Sequence, residues 1–175
     1  MPLENFQKEI KVNFANGSGG AFVASLVWLA SAVALQMYGI KTSFAVLFFG
    51  GMLIFPLSVV FLKVILKRSA DSKGNLGGMI VIETIPPMII GFFAAWLLMP
   101  HNPELVMPIA TLAVGAHYFG FRSAYGENAY LALAIVVCGI AFLTIFTSSI
   151  NSLILLYLVA AIELLFGFIL LKRIT

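Results

Sequence analysis

SLILLYLVAAIELLFGFILLK, residues 152–172, decides the fold. One carboxylate, Glu163, interrupts this apolar run before Lys172 closes it. A helix needs about 20 apolar residues to cross the hydrocarbon core of a bilayer. The run is therefore a membrane span, and Glu163 sits inside it. An ionisable side chain at that depth costs a few kcal/mol or more, so it faces a partner or a wet cavity.

Five more runs of the same kind precede it, at roughly 20–39, 43–66, 77–99, 104–125 and 128–148. The composition agrees. Of 175 residues, 62% are hydrophobic and only 10% charged, against about a quarter charged in a soluble domain. Mean hydropathy is +1.08. Little chain is left for an aqueous domain; the longest polar stretches are 1–20 and 67–76. The predicted fold is all-α, a polytopic membrane protein of six transmembrane helices. Residues 1–20 form a cytosolic segment and 21–175 the membrane domain. Glu4 and Glu9 break the basic-then-apolar order of a cleavable signal peptide, and none is expected.

Lys and Arg orient the spans. With six crossings, Lys8, Lys11, Lys63, Lys67, Arg68, Lys73, Arg122, Lys172 and Arg173 share one side, and only Lys41 falls on the other. Both termini are expected in the cytosol. The net charge of +3 reflects this orientation, and no nucleic-acid partner is expected. Residues 3–14 place Leu3, Phe6, Ile10 and Phe14 on one stripe, which predicts a short amphipathic helix lying flat on the inner leaflet. Gly17-Ser18-Gly19-Gly20 then reads as a flexible joint. Six spans also permit two inverted halves or a four-helix bundle with two outer helices; residues 1–100 and 101–175 show no convincing alignment, and both arrangements stay open.

Two further spans carry ionisable residues. Glu83 lies about 10 Å into span three by helical rise, and Glu163 a similar depth from the end of span six. His117 lies about one turn deeper than Arg122 in span four. All three fall in the cytosolic half and would meet if spans three, four and six were neighbours. Ala110, Ala113, His117 and Gly120 share a small-residue face suited to close packing, and Ala160 and Gly167 flank Glu163. Pro86 and Pro87 follow Glu83 and should kink the helix, freeing carbonyls near 82 and 83. Pro56 should kink span two near Ser58. Irregular backbone at membrane depth is tolerated where it is buried or lines a cavity.

Glu83, His117, Glu163 and Arg122 are thus the candidate ligand- or proton-binding residues. The alternative is a static network in which the two carboxylates pair with His117 or Arg122 and hold helices in register. Tyr118, Tyr125 and Arg122 read as ordinary interfacial anchors. Two Glu and one His fall short of a supported zinc site, having no paired ligand spacing and no HExxH, and neither metal nor cofactor is expected. No elbow motif frames a serine nucleophile. Cys138, alone in an apolar run, forms no intrachain disulfide.

Four patches carry a likeness: Glu9-Ile10-Lys11-Val12, Phe22-Val23-Ala24-Ser25-Leu26-Val27-Trp28, Phe55-Pro56-Leu57-Ser58 and Gly115-Ala116-His117, with Ala161-Ile162-Glu163 as a softer fifth. Through them the chain resembles a family of small, uncharacterised bacterial membrane proteins, the domain of unknown function 7010. The resemblance implies a six-helix integral protein of the bacterial inner membrane with no assigned activity, so no catalytic residue carries over. His117 and Glu163 match its pattern. Gly120 stands where a proline is expected and Arg122 where the pattern is uncharged, while Glu83 has no place on it.

The leading expectation is a small transporter or ligand-binding protein with a Glu/His polar site, its partners being the lipid bilayer, a small molecule or ion, and, at this size, a second copy of itself. A membrane-embedded enzyme acting on a lipid or amphiphile, and a non-catalytic partner subunit, are the alternatives.

Overall fold

The computed structural model describes residues 3–71, 73–147 and 150–174. Six helices are long and apolar enough to cross a membrane, and the chain is an all-α polytopic membrane protein. A surface helix, α1 (Leu3–Asn13), leads through a single 3₁₀ turn at Ala15–Gly17 into α2 (Ser18–Tyr38). Then come α3 (Ile40–Val64), a span broken into α4 (Leu76–Glu83) and α5 (Ile85–Leu98), and α6 (Pro103–Tyr125), α7 (Ala129–Phe146) and α8 (Ser152–Lys172). These bounds lie within a few residues of the hydropathy runs; the expected end of the fifth run, at 148, lies outside the described residues. The cationic residues named above gather at the end that carries α1, with Lys41 in the first turn of α3 at the other.

The helices form two groups of three. In one, α2 lies between α3 and α8; in the other, α6 lies between α5 and α7. Gly39 alone separates α2 from α3, at φ +83° and ψ −177°, a conformation essentially confined to glycine. Below that turn Ser43 Oγ donates to the Ser31 carbonyl at 2.7 Å, and Ser31 Oγ lies 3.0 Å from the Ser43 carbonyl. Lipid tails are as apolar as leucine, so helices in a bilayer associate through close packing and buried hydrogen bonds rather than through burial from water. The interfaces here follow that rule. A Cβ at Gly50 would press on Val27, one at Gly91 on Ala113, one at Gly115 on Cys138 and one at Gly167 on Phe22. Ser25 adds a 2.8 Å bond to the Ala160 carbonyl. Trp28, Phe44, Phe92, Met107 and Leu156 fill the core between the two groups.

Two sequence expectations change. Ser18, Gly19 and Gly20 are not a joint but the first turn of α2, where a Cβ on Gly19 would come within 3.3 Å of Leu62 and Phe61; close packing explains that glycine. Nor does α1 stand apart from the bundle. It packs on α4 and α6, burying Ile10. Gln7 Nε2 donates to the Ser123 carbonyl at 2.8 Å, and Asn75 Nδ2 to the Phe6 carbonyl at 3.0 Å.

Glu127, in the turn between α6 and α7, ties three segments together. Its carboxylate meets Lys11 of α1 at 2.9 Å and Arg173, just past α8, at 3.0 Å. Partial burial by itself pushes this carboxyl up, but hydrogen bonds from Lys11, the Ala129 N–H and Arg173 outweigh it, and the group is held below its ordinary value of 4.5. A depressed folded-state value means the linkage is intact above the unfolded value and weakens as pH falls through the folded one. Acidification below the carboxylate range should therefore release α1. Hydrogen exchange of the α1 amides, corrected for intrinsic rates, should speed up there, and Glu127→Gln should show the faster exchange already at neutral pH. Unchanged exchange in that variant would remove Glu127 as the tie.

Candidate functional site

The broken span supplies the first half of the site. Asn75 caps α4 by accepting from the Gly77 N–H at 2.8 Å. The helix stops at Glu83 because Pro86 and Pro87 have no N–H to give the carbonyls of Ile82 and Glu83. Both prolines fall in the first turn of α5, where a missing N–H costs nothing. Thr84, between the two helices, bridges the break: its Oγ1 lies 2.6 Å from the Val81 carbonyl and 2.5 Å from His117 Nδ1.

Those two contacts assign the histidine tautomer. A threonine hydroxyl has one proton. The carbonyl has none, so the Thr84 proton goes to Val81, and the proton between Thr84 and His117 belongs to Nδ1. In the neutral ring Nε2 is then an acceptor. Gly120, one turn along α6 from His117, sits where any Cβ would run into the Thr84 methyl group, so the small face of α6 is what admits the break.

Glu83, Thr84 and His117 line a groove of about 420 Å³ between the broken span and α6. Pro87, Met88, Gly91, Ala113 and Ala116 supply much of its apolar wall. Glu83 is exposed and has no hydrogen-bond or ion-pair partner among the described residues.

The second half lies on another face of α6. Glu163 of α8 is fully buried, and its Oε1 accepts from the Tyr118 hydroxyl. Its Oε2 has no protein partner among the described residues, nor do the buried Ser18 Oγ and Asn16 Oδ1. Tyr130 donates to the Asn16 carbonyl at 2.9 Å and stacks on Tyr125 with ring centroids 5.4 Å apart. Tyr118 and Phe121 pack against Tyr130 as well, so that the hydroxyl bonded to Glu163 belongs to one buried aromatic cluster that Ile10 of α1 also joins.

The four candidate residues therefore separate. Glu83 and His117 share one groove. Glu163 is reached from His117 only through the next residue, Tyr118, about 100° further round the helix; the two rings are 6.0 Å apart. Arg122 is exposed at the end of α6, where its Nε donates to Asn128 Oδ1 at 3.2 Å, and it joins neither half. Pro56 lies inside α3, where Ser58 Oγ donates to the Phe55 carbonyl at 2.7 Å. Tyr118 and Tyr125, expected at the interface as anchors, are buried between helices. The sequence offers Tyr118 only as an anchor and Ser18 only as part of a joint, and it does not point to Thr84 or Asn16 as candidates. The one signal for Thr84 is its place between Glu83 and the Pro-Pro pair. Among the described residues no three of His, Cys, Asp or Glu are grouped to hold a metal ion.

A broken membrane helix beside a histidine, with a buried carboxylate across the next helix, defines a polytopic membrane protein with polar sites at bilayer depth. The chain belongs to a family of unknown function, DUF7010, whose model matches residues 3–173. No curated protein and no solved structure matches it.

Proposed function

We propose that the chain is a small transporter or ligand-binding protein of the bacterial cytoplasmic membrane, with both termini in the cytosol. The groove at Glu83 and His117 receives the ligand, and Glu163 takes part in proton movement. The orientation rests on the bias of Lys and Arg to the α1 end. A single observation carries the function: Thr84 joins the break in span three to His117, and the next residue on α6 is bonded to Glu163. A fully buried carboxylate oxygen without a protein partner favours a proton or a cation beside it, since an unpaired buried charge costs several kcal/mol. Gain or loss of that proton changes the Tyr118 hydrogen bond, and α6 carries the change to the groove wall. Discontinuous helices at membrane depth are a recurrent transporter device for ligand sites.

The test is reconstitution in liposomes loaded with a pH-sensitive dye and challenged with a panel of small organic solutes and ions. At least one solute should evoke proton flux. Glu163→Gln should abolish the flux while retaining the helical content and monodisperse elution of the parent. Full flux in Glu163→Gln overturns the proton role. If no Glu163 or Glu83 variant can be recovered folded, the polar residues are architecture and the reading fails.

A further inference from the structure

We infer that the groove takes an amphiphilic organic ammonium carrying at least one N–H, entering sideways from the bilayer; the inference rests on the reading of this groove as the ligand site. Glu83 is its one charged lining residue. A carboxylate without a protein partner, set among apolar walls, favours a cation, and the attraction strengthens as the local dielectric falls. Selectivity then comes from the hydrogen-bonding inventory. His117 Nδ1 is committed to Thr84, and the Thr84 proton to Val81, so neither donates into the groove. The neutral imidazole has Nε2 left, an acceptor, and Glu83 when ionised is acceptor-only. A wall with acceptors and no free donor matches a ligand that brings donors. A primary or secondary ammonium satisfies both groups, a quaternary ammonium satisfies only the charge, and an anion neither.

The remaining lining is apolar, which calls for a hydrocarbon body, and about 420 Å³ falls in the range of small-molecule sites. The route is sideways because Pro87 and Ala116 of the lining are themselves exposed, on the flanks of spans apolar enough to sit in lipid rather than water.

Four rigid probes isolate these features: adamantylamine, its neutral isostere adamantanol, the N–H-free adamantyltrimethylammonium, and the anionic adamantane carboxylate. Saturable binding is measured by calorimetry on the full chain in lipid nanodiscs, with empty nanodiscs subtracted. Adamantylamine should bind at one site per chain, with the other three at least about tenfold weaker, as expected when a charge-assisted hydrogen bond is lost. Glu83→Gln, at an exposed position, should weaken adamantylamine by a similar factor. Ala116→Trp, which fills the groove from an exposed position, should abolish its binding. Equal binding of adamantanol or the trimethyl compound overturns the ligand class. If that binding is nonetheless blocked by Ala116→Trp, the groove stands as a ligand site and only the class is wrong. If Ala116→Trp changes no probe's binding, or none of the probes binds, the inference fails together with the groove assignment.

Discussion

Replacing Gly17 by valine should leave little folded protein. Gly17 sits at φ +77°, following Ala15 at +47° and Asn16 at +55°, so three consecutive residues take the left-handed conformation. For a residue with a side chain that conformation costs about 1–2 kcal/mol, and more when the side chain is β-branched. Space adds to the penalty. A Cβ at Gly17 would run into the Tyr130 hydroxyl and reach within 3.4 Å of the Tyr125 ring. Tyr130 has no free volume to retreat into: it is 2% exposed, packed against Tyr118, Phe121 and Tyr125, and bonded to the Asn16 carbonyl. Overpacking of this kind costs about 1–3 kcal/mol. The sum, about 2–5 kcal/mol, is a large part of the stability of a typical fold. Thermal denaturation in detergent, followed by the near-ultraviolet signal of the tyrosines, reads it directly. Tyr130→Phe is the control, since it removes only the bond to Asn16 and should cost about 1 kcal/mol. A Gly17→Val protein that melts with the parent would contradict the tight turn described between α1 and α2.

Glu163→Ala should be severe in a different way. It removes the acceptor of a fully buried hydroxyl and leaves a void between α6 and α8. Stranding a buried polar group costs about 1–3 kcal/mol and an unfilled cavity adds to it, so a loss of about 3–5 kcal/mol is expected. Glu163→Gln keeps an oxygen for Tyr118 and the same volume, and should lose about 1 kcal/mol. The pair separates architecture from function: both variants lose proton flux, and only alanine loses much stability. Denaturation and flux measured on the same preparations check this. Equal stability of the two variants would mean that the Tyr118 bond holds nothing together.

The membrane class, the number of spans and their limits were legible along the chain because hydropathy is a sum over neighbouring residues. The run 152–172 needed no knowledge of what surrounds it. The break near Glu83 was legible for the same reason, since the missing N–H groups of Pro86 and Pro87 act four residues away within one helix. The gathering of cations at one end follows from counting once the spans are set. What needed the tertiary structure was which polar residues meet. His117 and Tyr118 are adjacent in sequence, yet a helix turns them about 100° apart, toward Thr84 on one side and Glu163 on the other. No periodicity tells which neighbour each will find. In lipid that choice is made by small residues such as Gly91, Gly115 and Gly167, which let particular helices approach. The same limit explains Tyr118 and Tyr125: a tyrosine near a helix end has the same composition signal whether it anchors at the headgroups or lies buried against another helix. It explains α1 as well, whose apolar stripe fits a bilayer surface and a protein surface equally. Only the packed structure, with Lys11 and Arg173 on Glu127, seats it on the bundle. Local hydrophobicity determined that this chain has six helices long and apolar enough to cross a membrane; the contacts between helices decided that Glu83 and His117 fall on one face of α6 and Glu163 on another, because lateral packing depends on shape at each contact rather than on a sum along the chain.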